Sequence, residues 1–213
     1  MANTEGKKPQ NRPAGFSRRR FLQGVGAVSA GAMLADANIV KAETPPASTA
    51  ENAATEGTVE VTLNINGANR KVNVEPRTTL LSALRDRLDP ALTGPKLVCN
   101  MGTCGACTVI MDGRTAYSCS VLAIDTLGKK ITTVEGLGTP DHMNEVQKAF
   151  CEKDAMMCGF CTPGFVTTVS ALLQTNPNPT LQEVREACHG NFCRCGTYTR
   201  VFEAALAAAK AGR

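Results

Sequence analysis

The sequence predicts an α+β chain in two halves, the first strand-rich and the second helical. Residues 58–134 alternate with period two in short runs broken by Asn-Gly and Asp-Gly turns, with a single helical stretch among them. After "EGLGTPD" the period becomes that of helices and stays so to the end. Eight of the ten cysteines fall into two quartets, one in each half.

In chain order, "TVEVTLNI" at 58–65 places Val59, Val61, Leu63 and Ile65 on one face, and Asn66-Gly67 turns it into a second strand near 70–74. "TTLLSALRDRL" at 78–88 has helical spacing. Strands follow near 107–111 and 114–118 around Asp112-Gly113, then near 130–134. One helix on such a sheet is a β-grasp layout like that of plant ferredoxin. Helices are expected near 143–153, 163–175, 180–189 and 199–211, the second opened by Thr162 as N-cap with Pro163 next, the third by a Thr180–Glu183 capping box.

The net charge of +4 belongs to the N-terminus alone. Of 23 Lys/Arg and 19 Asp/Glu, seven and two lie in residues 1–42, leaving 16 basic and 17 acidic groups beyond. With no Trp, nine Phe and Tyr, and no basic stripe, nucleic acid is not an expected partner. "SRRRFLQ" at 17–23 precedes a weakly apolar run of a dozen residues, well short of the roughly 20 that span a bilayer. Arg18 and Arg19 with Phe21 and Leu22 match a twin-arginine export signal over 1–42, cleaved after Ala37 or Ala42, which implies the export machinery as a partner and a periplasmic destination. Residues 43–57 read as a flexible spacer.

Ten cysteines in an exported chain suggest disulfides. The route argues otherwise, because twin-arginine substrates cross already folded and take up cofactors while their thiols are reduced. Cys99, Cys104 and Cys107 form Cx4Cx2C, and Cys119 follows a short strand, the arrangement of plant-type [2Fe-2S] sites. Gly102 and Gly105 let the loop turn backbone N–H groups inward. Zinc is the competing occupant, although structural zinc usually recruits two compact knuckles rather than one long loop. Cys158 and Cys161, just before a helix start, face Cys193 and Cys195 of "CRC" from across 31 residues. For this quartet, spacing alone leaves zinc and a cluster open. Cys151 and Cys188 read as buried structural thiols, with a disulfide between them as the other option. His142 and His189 read as helix-end residues, and Arg194 as a solvated or subunit-facing charge.

"CNMGTCGACTVIMDG" with "SC", then "CGFCTPG" and "GNFCRCGTY", together resemble the two-cluster iron-sulfur subunit of the molybdenum hydroxylases, the xanthine dehydrogenase and aldehyde oxidase family. The resemblance spans residues 58 to about 210. It implies a ferredoxin-like [2Fe-2S] domain over 58–135, with Cys99, Cys104, Cys107 and Cys119 as ligands, and a four-helix [2Fe-2S] domain over 136–213, with Cys158, Cys161, Cys193 and Cys195. The helical cluster is then the one nearer the molybdopterin. Two departures stand out. Met157 occupies the position where the family usually has a Gln approaching the pterin, and Val98 precedes the first ligand where many members have Gly. "CRCGTY" resembles the variant in periplasmic aldehyde and isoquinoline oxidoreductases.

The resemblance thus implies an oxidoreductase subunit that conducts electrons and holds no catalytic residue. A large molybdopterin-binding partner is implied with it, together with an FAD subunit or a cytochrome c as acceptor, and aldehyde oxidation as the reaction. Competing readings are the same role in an isoquinoline- or purine-type hydroxylase, a stand-alone ferredoxin-like carrier, or a zinc-stabilised interaction module.

Overall fold

A computed structural model describes residues 57–212, so the expected export signal and nearly all of the spacer lie outside the described residues. Strands β1 (Val59–Ile65) and β2 (Ala68–Val74) form the hairpin, closed by Asn66 and Gly67 at φ 53° and 79°. With β3 (Thr108–Met111), β4 (Arg114–Tyr117) and β5 (Lys130–Thr132) they make one sheet in the order β2-β1-β5-β3-β4. Only the β1–β5 pair is parallel. Val61, Leu63 and Ile65 point into the core, as their alternation requires. Val59 does not. Val59 stands at the outer end of β1, the end away from the Asn64 and Ile65 pairing with β5, and is exposed.

The helix over the sheet starts at α1 (Leu80–Ser82), capped by the Thr79 side chain, and widens into a π turn at Ala83–Arg87. There the Leu88 N–H reaches back five residues to the Ala83 carbonyl, at 3.1 Å. Leu80, Leu84 and Leu88 all enter the sheet-side core with Val74, Val109 and Ile131.

The second half holds α2 (Glu145–Glu152), α3 (Thr162–Thr175), α4 (Leu181–Cys188) and α5 (Tyr198–Ala211). Thr180 and Glu183 form the expected capping box, and Asn144 and Gln147 form another on α2. At α3 the start differs by one residue. Cys161 is the N-cap, because its carbonyl already accepts from the Phe165 N–H, and Thr162 is inside the helix. Gly164 through Ala171 are all buried, a helix covered on every side. It lies against β3 and β4 on one side and against α2, α4 and α5 on the other, which makes α3 the shared wall of the two halves.

Candidate metal centres

The loop before β3 holds Cys99 and Cys104, and three residues in it take the left-handed conformation: Asn100 (φ 53°), Gly102 (70°) and Gly105 (67°). That winding aims backbone donors at sulfur, with the Thr103 N–H 3.5 Å from Cys99 Sγ. Burial raises the Cys99 thiol, but the Thr103 hydroxyl, the N–H groups of Met101 and Thr103 and the Cys104 thiol outweigh it and bring it down to about 6. Cys107 and Cys119 form the inner pair, on β3's approach and on the short 3-10 turn Ser118–Ser120. Ser118 ties the two segments by donating from its hydroxyl to the Cys107 carbonyl at 2.7 Å. Burial, with Cys119 beside it, pushes Cys107 up to about 11. Burial and then the charges of Cys107, Cys104 and Cys99 raise the Tyr117 phenol, and the ring packs against the cluster of Leu81, Cys107 and Cys119.

The second quartet also stands as two pairs. Cys161 lies beside Cys193, and Cys158 beside Cys195. Burial and the neighbouring Cys193 push Cys161 up to about 12. Cys193 moves the other way: burial raises it, but the hydroxyl and N–H of Thr197, the Cys161 thiol and the Gly196 N–H bring it down to about 7. The "CRC" loop is pinned from behind by Tyr198, whose hydroxyl oxygen accepts from the Cys193 N–H at 2.8 Å and whose ring packs edge-on against Phe165 with centroids 6.0 Å apart. The inner pair is buried or half-buried, and Cys158 and Cys195 are exposed.

Among the described residues no three His, Cys, Asp or Glu side chains meet as one metal ion would require. Pairs of thiols suit a rhomb with two irons, two thiolates on each, and a donor set made only of thiolates suits iron-sulfur chemistry. Cys99, Cys104, Cys107 and Cys119 would hold one cluster, and Cys158, Cys161, Cys193 and Cys195 the other.

The leftover thiols divide. Cys188 is 2% exposed in the helical core, and burial pushes it up to about 12. Cys151, expected to be buried, is exposed, because it falls on the outer face of α2 while Val146, Ala149 and Phe150 take the inner one. Both are free thiols. Of these two thiols, iodoacetamide at pH 8 is therefore expected to alkylate Cys151 and leave Cys188 intact, since the thiolate is the nucleophile. Peptide mapping by mass spectrometry reads the result, and labelling at Cys188 would contradict its burial. Arg194 and His142 are exposed, and His189 bonds the Glu186 carbonyl at the end of α4. Met157 is 69% exposed, beside Met156 and Phe160.

The two quartets meet across a small apolar pocket of about 220 Å³ lined by Val98, Cys104, Ala106, Cys158, Cys161 and Phe192, among others. Behind it three consecutive residues reach the first half. Gly190 accepts at its carbonyl from the Tyr117 hydroxyl at 3.2 Å, Asn191 Nδ2 donates to the Gly105 carbonyl at 3.0 Å, and the Phe192 N–H donates to the Cys104 carbonyl at 2.9 Å. No sequence pattern announces these contacts, since each joins residues more than 70 positions apart.

Two family models match: a 2Fe-2S iron-sulfur cluster binding domain over residues 63–132 and a [2Fe-2S] binding domain over residues 133–206. The nicotine 6-hydroxylase small subunit of Paenarthrobacter nicotinovorans is 46% identical over 148 residues, covering 70% of this chain and 88% of its own. The aldehyde oxidoreductase iron-sulfur-binding subunit of Escherichia coli O157:H7 is 36% identical over 204 residues, covering 89% and 86%. Among solved structures, quinoline 2-oxidoreductase from Pseudomonas putida 86 superposes with a TM-score of 0.69 at 41% identity, over 73% of this chain and 96% of that one.

Proposed function

The chain belongs to the iron-sulfur subunit family of the molybdenum hydroxylases, and from that premise we propose the path its electrons take: in from a molybdopterin-bearing large subunit at the helical-half centre, across to the ferredoxin-like centre, and out to an FAD subunit or a cytochrome c. The observation that carries this reading is the exposure of Cys158 and Cys195 while their partners Cys161 and Cys193 are half-buried and buried. The outer pair is flanked in sequence by exposed apolar side chains, Met156, Met157, Phe160 and Phe192, suited to a dry contact with a partner. Leu97, Val98 and Met101 are likewise exposed apolar side chains in the loop of Cys99, the centre from which electrons would leave. A [2Fe-2S] cluster accepts one electron at a time, so two in series unload a two-electron donor in two steps. This chain's residues hold the clusters, screen them and face the partners.

Aldehyde oxidation is the proposed reaction, supported by the Escherichia coli relative, whose alignment covers more of this chain than the described residues supply. A nitrogen heterocycle is the second reading, favoured by the likeness to nicotine- and quinoline-oxidising proteins. Export to the periplasm rests on Arg18 and Arg19. Tagging this chain in its native host tests the assembly: a large molybdenum-containing subunit is expected to co-purify, and a molybdenum-free monomer would contradict the proposal. Arg18→Lys with Arg19→Lys is expected to keep the complex in the cytoplasm, and unchanged periplasmic activity in a fractionation would remove the export reading.

A further inference from the structure

We propose that Gly190-Asn191-Phe192 is a splint that sets the spacing and electronic coupling of the two centres, with Asn191 as its positioning residue. The proposal rests on the two-cluster reading of the chain. The three residues immediately precede Cys193, a ligand of one centre, and their hydrogen bonds end on or beside ligands of the other. Phe192 bonds the carbonyl of Cys104 itself, Asn191 bonds the carbonyl of Gly105 next to it, and Gly190 is held by Tyr117, two residues before Cys119. From Cys104 Sγ to Cys193 Sγ a bonded route therefore runs that is covalent except for one hydrogen bond, Phe192 N–H to Cys104 O at 2.9 Å.

Asn191 holds that bond in register from several sides. It is 5% exposed, its Oδ1 accepts from the hydroxyl of Thr168 on α3 at 2.9 Å, and its own N–H donates to the Cys188 carbonyl at the end of α4 at 2.9 Å. One amide thus donates to the first half and accepts from the second. An Asp lacks the donor, and a Ser is too short to reach both partners. The space is cut for it: a Cβ on Gly105 would lie 2.6 Å from Asn191 Nδ2 and from the Gly190 carbonyl. Neither the ligand set nor the packing of the helical core requires these bonds. Transfer across the junction moves one electron out of one centre and into the other, with no proton and no bond change, so its rate depends on spacing and coupling.

The test uses the purified complex, comparing wild type with Asn191→Ser. Iron content, the g-values and potential of each centre, the magnetic splitting between the two fully reduced centres, and hydrogen exchange at the Phe192 amide are measured. The expected result is full iron and unmoved g-values and potentials, with the splitting lost and Phe192 exchanging about tenfold faster or more. If Asn191→Ser loses iron, Tyr117→Phe removes only the hydroxyl on Gly190 and is expected to weaken the splitting in the same sense. Two cluster signals with splitting and protection unmoved in the variants overturn the splint alone. A wild type without two such signals overturns the two-cluster reading with it, so the two failures are distinct.

Discussion

Cys161→Ser is expected to empty the helical-half centre, leave the ferredoxin-like centre filled, and lower thermal stability by about 10 °C. Cys161 is the pivot of the second quartet: it stands at the start of α3, packs on the helical core, and lies beside Cys193. A serine oxygen there is a poor ligand for iron and leaves three thiols from two segments. The cluster also staples "CGFC" to "CRC" across 31 residues, and closing a loop of about that length contributes roughly 3–4 kcal/mol by the chain-entropy argument. For a body of this size each kcal/mol is worth about 2–4 °C. Iron analysis and a melting curve check the result, with half the iron and an early transition expected. Cys151→Ser serves as the contrast, since an exposed side chain outside both quartets is expected to shift stability by no more than about 0.5 kcal/mol.

Gly164→Ala is expected to destabilise the protein even though it improves a helix. Gly164 lies in the first turn of α3, where alanine would ordinarily gain about 1 kcal/mol of helix propensity. Its added Cβ, however, would meet the Gly105 carbonyl, a backbone atom held in place by Asn191 and by the Thr108 hydroxyl at 2.6 Å. Neither side can retreat without opening the junction. Overpacking of this kind costs about 1–3 kcal/mol, which exceeds the propensity gain and reverses its sign. Urea unfolding of the variant against wild type reads the difference. A raised midpoint would mean that the two halves meet loosely there.

Much of the fold was legible in the sequence because it is local. The hairpin around Asn66-Gly67, the single helix over the sheet, the four helices and the Thr180–Glu183 box follow from periodicity and turn chemistry, and the structure places them within a few residues. Spacing marks the first cysteine quartet and the family resemblance the second, and in the structure Cys107 lies beside Cys119, Cys161 beside Cys193 and Cys158 beside Cys195. What local patterns missed depends on the fold. Val59 alternates correctly but stands at the outer end of β1, where it is exposed. Thr162 looks like a cap, yet the Cys161 carbonyl already begins the helix. Cys151 sits among apolar neighbours in sequence but on the wrong face of α2. Asn191 reads as an ordinary loop residue, and only the approach of Gly105 and Thr168 from distant segments gives its amide a role.

That this one chain carries two coupled [2Fe-2S] centres is tested most directly by electron paramagnetic resonance on the dithionite-reduced complex, with iron and sulfide analysis. Two distinct [2Fe-2S] signals of about one spin each, with about four irons and four sulfides per chain, are the predicted result. A colourless chain loaded with zinc, or a single signal with half that iron, would contradict it.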